Sequence, residues 1–397
     1  MWWPDSRRRC TGIPPPGSCC SPSSGMPDMH VALVCPYSLD APGGVGTHVM
    51  GLAGWLAGRG QRVTVIAPGR RARPAPPGVI FHLVGPSSDF HFNGSVAQLA
   101  VRRRQCADAL RTSLAADVVH VHEPLTPGIA FAVAKGATTL VVTHHASFRV
   151  PTMLAGALRW RARALGERQS IAVSRAAAAT ARRACGAEPV IIGNGVVLPP
   201  APAPRAGWRG GARPRVGFLG RLDEPRKGFD VFREVADLAA QEGLDAEFVA
   251  LGPGSVTAGR VKLWGVVDDA TRDQALQSVD CLVAPNLFGE SFGMVLVEAL
   301  ASGCDVVASD LAGFRDVLAA AGTGAVFPVG DSRAALAILG ERLARPTDPT
   351  RLHASAQQWG WDVLGPRVLA QYEVALARAN TPPGHRGARV DGLGWHV

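Results

Sequence analysis

From His30 onward, short apolar runs alternate with longer stretches whose apolar residues fall on one helical face. The runs at 31–35, 62–67, 79–84, 118–121, 138–143, 170–173 and 190–192 are nearly continuous in Val, Ile and Leu. Such runs predict strands covered on both faces, as in a parallel sheet. Between the first two, Val49, Leu52, Ala53 and Leu56 share one side of a predicted helix. The alternation stops at 199–215, a Pro/Gly/Arg-rich stretch without period that reads as a linker. It restarts with strands predicted at 215–219, 247–251, 261–264, 279–283, 304–308 and 325–327.

Two successive βαβ series predict an α/β chain of two doubly wound domains, 29–198 and 216–360. A final helix over 361–380 carries Trp361, Leu364, Val368, Leu369 and Tyr372. Segments 1–28 and 381–397 have no period and read as tails, the first as a disordered tail or the product of an early start. In open α/β sheets, ligands bind beyond the carboxyl ends of the strands. The chemistry is therefore expected on loops that follow strands, in the cleft between the domains.

Composition narrows this picture. With 18% charged and 47% hydrophobic residues over 397 positions, the chain is not disordered. Its eight cysteines include no Cys-x-x-Cys pair, and no Cys/His cluster has zinc spacing. Reduced thiols, no metal site and a cytoplasmic location are expected. The longest apolar stretch, 124–143, is broken by Pro127, Gly128, Lys135 and Gly136, so no membrane span is predicted.

The net charge of +9 hides a division: 29–198 sums to +11 and 216–360 to −8. A basic half implies an anionic counterpart, a membrane surface or nucleic acid. No nucleic-acid motif is present. Two stretches suit anionic lipid: Arg102-Arg103-Arg104 with Arg111, and 153–168. The second carries Arg159, Trp160, Arg161, Arg163 and Arg168 beside Leu154, Leu158 and Leu165. The expected location is the inner face of the plasma membrane, held peripherally.

In the second half, strand 215–219 leads into Gly220-Arg221-Leu222-Asp223-Glu224-Pro225-Arg226-Lys227-Gly228. Arg221 and Lys227 after a strand end suit a diphosphate. Strand 279–283 leads into Glu290-Ser291-Phe292-Gly293-Met294 and then a helix containing Glu298. Backbone N–H groups at Phe292, Gly293 and Met294 would open that helix toward a phosphate. Glu298 in apolar company implies either ligand binding or a buried ion pair.

In the first half, strand 31–35 leads into a glycine-bearing loop, Pro42-Gly43-Gly44-Val45-Gly46, suited to close approach by a phosphate. It matches a dinucleotide fingerprint only in part, since Val49 stands where the third glycine belongs. With Arg70 and Arg71 able to hold a 2′-phosphate, an NADP oxidoreductase is the distant alternative.

The pair Glu290 and Glu298, with Arg221 and Lys227, resembles the retaining GT-B glycosyltransferases of family 4, the glycogen-synthase-like group. Asn194-Gly195 and the Trp361-Asp362 helix with Tyr372 resemble that family too. The stretches CPYSLDAPGGVGTHV, NGSVAQL, HVHEP and FLGRLDEPRKGF resemble the phosphatidylinositol mannosyltransferases within it. The resemblance implies two Rossmann-like domains facing a cleft, with the last helix crossing back to the first domain. It implies hexose transfer, as mannose from GDP-mannose, to a phosphatidylinositol-type acceptor.

The resemblance also assigns roles. Gly44, Arg221 and Lys227 would meet the donor diphosphate, Glu298 the ribose and Glu290 the sugar. His145 takes the active-site histidine position, while Tyr37, Asn93, Ser95 and Gln98 would line the acceptor side. Gln98 stands where the family has an arginine, so another cation, Arg102 or Arg149, would have to meet an acceptor phosphate. Another acceptor, inositol phosphate or a natural product, or another donor is the alternative within the class. No Asp-x-Asp motif occurs, and no metal or cofactor is expected beyond the nucleotide-sugar substrate.

Overall fold

The computed structural model describes residues 28–40, 43–70, 75–92, 95–148, 150–186, 188–202 and 213–380. Asn93, Arg71, Arg149, most of the linker and nearly all of both tails lie outside the described residues.

The first half begins with β1 (His30–Val34), α1 (Gly44–Gly58), β2 (Arg62–Ala67), β3 (Val79–Leu83), β4 (Ser88–Phe92) and β5 (Ser95–Leu99). It continues with α2 (Arg103–Ser113), β6 (Val118–His122), α3 (Ile129–Gly136), β7 (Leu140–His144) and α4 (Thr152–Arg163). β8 (Gln169–Ala172), α5 (Arg175–Cys185) and β9 (Val190–Ile191) complete it. Seven strands form one parallel sheet in the order β3-β2-β1-β6-β7-β8-β9.

The second half begins with β10 (Arg215–Leu219), α6 (Phe229–Gln241), β11 (Glu247–Leu251), β12 (Lys262–Gly265), α7 (Asp269–Gln277) and β13 (Cys281–Ala284). α8 (Met294–Ala301), β14 (Asp305–Ser309), α9 (Ala312–Ala321), β15 (Ala325–Phe327), α10 (Ser332–Ala344), α11 (Pro349–Ala356) and α12 (Trp361–Asn380) follow. Its parallel sheet runs β12-β11-β10-β13-β14-β15. Both sheets therefore reverse their order beside their first strand, between β1 and β6 and between β10 and β13. Those two reversals are where the splayed loops leave a crevice.

The strand predictions hold to within a residue or two at most ends. One pair was not anticipated: β4 and β5 form an antiparallel hairpin. Its signal was present in the sequence, since Asn93-Gly94 between two five-residue runs is the two-residue hairpin signature.

α12 packs on α1 and on β6, β7 and β8, so it crosses back to the first sheet. Trp361, Leu364, Val368, Leu369 and Tyr372 are all buried there, in one hydrophobic core with Leu33 and Leu52 from the first half and Phe292 and Leu296 from the second. The chain crosses between halves at a backbone bridge, where Val196 N–H donates to Trp359 C=O at 2.9 Å. The indole of Trp361 lies against both Gly51 and Gly195, and a Cβ at either position would overlap its ring.

Candidate active site

The loops at the second reversal are tied together by a tight approach. Gly228 has φ 72° and sits directly under the carbonyl of Pro285, where a Cβ would overlap that oxygen. Leu287 N–H also donates to Arg226 C=O at 2.8 Å. These contacts clamp the loop after β10 to the loop after β13. They set Lys227 Nζ 3.2 Å from Glu290 Oε2, with Asn286 Nδ2 donating to the same oxygen at 2.9 Å.

Arg226, not singled out from the sequence, also belongs here. Its guanidinium lies 3.6 Å from Glu290 and 2.5 Å from Glu224. Arg221 reaches toward Asp223 and Glu224, at 3.5 and 4.0 Å, with its side chain half exposed. The loop is thus a mixed-charge cluster in which Glu290 is firmly held and Arg221 is the most accessible cation.

Glu298 lies one turn into α8, with Arg272 Nη1 at 3.9 Å. The ion-pair expectation therefore describes its contact in this structure. Gly293, at φ 102°, caps α8. The side chain of Phe292 is buried and meets Trp359 edge-on. Across the cleft, a Cβ on Gly44 would stand 3.7 Å from Met294 Cγ, so the first turns of α1 and α8 face each other.

On the acceptor side, the loop after β1 is held to the hairpin. Ser38 N–H donates to Gln98 C=O at 3.0 Å, and Tyr37 bridges to Leu99. Tyr37 and Gln98 are thereby brought together, and Gln98 Nε2 donates to Asp89 at 3.2 Å. Burial, then the neighbouring Glu123, pushes the Tyr37 phenol well above its ordinary range. Ser95 opens β5.

The histidines are arranged differently from expectation. His144 and His145 are both buried. His145 turns its imidazole into the domain, where Nε2 lies 2.9 Å from His122 Nδ1. His48 of α1 meets the His122 and His145 rings edge-on and lies tilted against Trp361, and its Nδ1 accepts the N–H of Gly195 at 3.2 Å. His120 joins Tyr372 Oη at 2.8 Å and Thr143 Oγ1 at 2.7 Å.

Burial drives His48 and His120 down to about 3 and His144 to about 4, and moves His122 and His145 the same way. Zinc-type spacing arguments could not find this group, because 48, 122 and 145 converge only through the sheet. Glu123 was also missed. It adopts φ 51°, and its carboxylate accepts the N–H groups of His145 and Ala146, the latter at 2.6 Å. It fixes the turn that carries His145.

Comparison with known proteins matches both halves. Residues 42–198 fit the glycosyltransferase family 4 model, and residues 213–345 fit the model of glycosyl transferases group 1. A phosphatidyl-myo-inositol mannosyltransferase of Propionibacterium freudenreichii subsp. shermanii is 39% identical over 387 residues, spanning 92% of this chain and all of the relative. The chain belongs to glycosyltransferase family 4. A phosphatidyl-myo-inositol mannosyltransferase of Mycolicibacterium smegmatis is 36% identical over 368 residues, with 87% of this chain and 94% of the relative covered.

The fold of this family 4 enzyme is GT-B. Anabaena HepE, solved in complex with UDP and glucose, superposes with a TM-score of 0.67 at 17% identity, covering 87% of this chain and all of HepE. The family 4 chain is a hexosyltransferase, and both family models and the end-to-end relatives leave the oxidoreductase alternative without support. Among the described residues no helix is long and apolar enough to cross a membrane.

Proposed function

We propose that the chain transfers mannose from GDP-mannose, with retention, to a phosphatidylinositol-type hydroxyl at an anionic membrane surface. The observation that carries the reading is the held Glu290, fixed by Lys227 and Asn286 in the loop that leads into α8, whose first turn faces that of α1. The end-to-end relatives named for this transfer supply the donor and acceptor class.

The donor diphosphate would lie against Arg221, Lys227, Gly44 N–H and the opening turn of α8. These groups stabilise the charge that grows on the leaving oxygen. Glu290 would accept from hydroxyls of the sugar and Glu298 from the ribose. The bond from the anomeric carbon to phosphate breaks as the bond to the acceptor oxygen forms on the same face. The acceptor proton passes to the departing phosphate oxygen. The backbone carbonyl of His145, held by Glu123, would face the positive charge that develops on the ring. This assignment asks no metal to neutralise the diphosphate.

Tyr37, Ser95, Asn93 and Gln98 would meet the acceptor, with Arg102 supplying the charge that Gln98 lacks. The uncharged Gln98 also favours a second reading, the same transfer onto a soluble inositol phosphate. Exposed Arg103, Arg104 and Arg111 on α2, and exposed Arg159, Trp160 and Arg163 on α4, would lie on lipid. Four residues of the 153–168 stretch do not belong to that face. Arg161 lies 3.4 Å from the centre of the Phe131 ring, Arg168 donates to the carbonyls of Ala162 and Gly166, and Leu165 is buried with Leu158 partly so.

The test is to offer GDP-mannose, UDP-glucose and UDP-N-acetylglucosamine with phosphatidylinositol vesicles and, separately, inositol phosphate. Mannolipid formed from GDP-mannose alone supports the proposal. Transfer only to the soluble acceptor supports the second reading, and transfer to lipid from a UDP-sugar but not from GDP-mannose, or to neither acceptor, overturns the first.

A further inference from the structure

The three rings of His48, His122 and His145 come from α1, the end of β6 and the residue after β7, yet one ring nitrogen from each lies within 4.8 Å of the other two. All three residues are buried, at 3%, 0% and 6% exposure. Among the described residues His122 Nε2 has no partner, and the side chain of Asn194 reaches the His145 ring. An unpaired polar atom in the interior is costly, which makes its persistence a sign that something can occupy it. Three neutral imidazoles are a ligand set that Zn²⁺ and Co²⁺ take in tetrahedral sites.

We propose that His48, His122 and His145 form a site for a transition-metal dication of the zinc class, separate from the donor diphosphate position, and that its occupancy inhibits transfer. Zinc–nitrogen bonds of 2.0–2.1 Å place ligand nitrogens about 3.3 Å apart in a tetrahedron. Small side-chain rotations would draw the three rings to that spacing. Burial keeps them in the neutral form that ligates.

Inhibition follows from what ligation displaces. His48 Nδ1 now takes the N–H of Gly195, on the segment that joins the two halves. A neutral imidazole that accepts at Nδ1 carries its proton on Nε2. Ligation through either nitrogen therefore breaks that bond, at Nδ1 by direct competition or at Nε2 by moving the proton to Nδ1. The His122–His145 hydrogen bond is lost as well. The metal thus unfastens the crossing segment from α1 and pulls on His145, whose backbone carbonyl the proposed function turns toward the sugar. The inhibitory effect rests on the proposed function; the metal site does not.

The experiment titrates chelator-stripped full-length protein with Co²⁺. The expected result is one equivalent with the intense visible bands of tetrahedral cobalt, displaced by Zn²⁺ and absent in folded His48→Gln and His122→Gln. No such bands, or bands kept in either folded variant, overturn the site. Should a variant fail to fold, X-ray absorption on the zinc-loaded wild type decides. Imidazole-only ligation supports the proposal, and sulfur or carboxylate ligation overturns it. Mannosyl transfer lost on adding Zn²⁺ and restored by EDTA supports the inhibitory part. Bound cobalt with unchanged transfer overturns that part alone, and bound cobalt with no mannosyl transfer under any condition counts against the donor reading instead.

Discussion

Lys227 Nζ lies 3.2 Å from Glu290 Oε2, across two loops that leave neighbouring strands where the second sheet reverses its order. The two side chains are mostly shielded, at 20% and 15% exposure, so neither charge is idle decoration on the surface. In the proposed transfer, the lysine neutralises the leaving diphosphate and the carboxylate holds the sugar. Lys227→Ala and Glu290→Gln should each lower kcat by about 10²–10³-fold, as loss of one oriented charge-stabilising group does. Their effects should combine less than additively, because the groups touch. Steady-state kinetics with GDP-mannose, beside circular dichroism to confirm folding, checks this. Wild-type kcat in either variant would falsify the donor-site assignment.

Tyr372 Oη and His120 Nδ1 meet at 2.8 Å in full burial, joining α12 to the first sheet. Tyr372→Phe keeps the packing but strands a buried nitrogen, at a cost of about 1–3 kcal/mol. Arg59→Ala removes the ion pair with Asp362 on the same α1–α12 seam, whose side chains are 44% and 86% exposed. That loss should be small, about 0.5 kcal/mol. Urea denaturation of both variants tests the ordering. A larger loss for Arg59→Ala would show that the seam is held by its charged rim and not by the buried contact.

The parallel strands were legible because continuous apolar runs have few alternatives, and α12 because its apolar residues recur on one face. Lys227 and Glu290 were legible because strand-following loops carry the chemistry of open sheets. The contact between them was not, since it depends on Gly228 slipping under Pro285. The His48–His122–His145 convergence was equally hidden, for it joins three elements separated by up to 97 positions, the span from 48 to 145. Arg161 reads as a surface charge because periodicity alone does not show that Phe131 lies beside it.

Acid should destabilise the protein well above the carboxylate range. Burial lowers His48, His120 and His144 from 6.5 to about 3, 3 and 4 when folded, with His122 and His145 shifted the same way. The unfolded chain then binds more protons than the folded one below about pH 6.5. Stability from these groups is complete above that pH, and falls as pH drops from 6.5 toward 4 and below. Near pH 5, unfolding should take up close to one proton each for His48, His120 and His144, with His122 and His145 adding to the uptake. The slope of stability against pH, measured in chelator, gives that number. A flat profile between pH 6.5 and 5 would show that these imidazoles are not buried neutral.

α4 turns Met153 and Trp160 outward at 93% and 75% exposure, beside exposed Arg159 and Arg163. Two large apolar side chains left in water are costly on a free surface, but on a bilayer they enter the headgroup region while the arginines meet anionic phosphates. Each basic residue near such a surface contributes about 1 kcal/mol at moderate salt. Arg159→Gln with Arg163→Gln should therefore weaken binding to vesicles containing anionic phospholipid by about 30-fold, an effect that fades as salt rises. Met153→Ser with Trp160→Ser should weaken binding in a way that salt does not erase, because it removes buried apolar area and not charge. Arg161→Gln serves as the control, since its guanidinium is spent on Phe131 and it should leave vesicle affinity near wild type. Vesicle sedimentation across a salt series reads all three. Unchanged binding in both double variants would mean that α4 does not touch the membrane, and an Arg161→Gln defect as large as theirs would mean that the effect comes from disturbed packing.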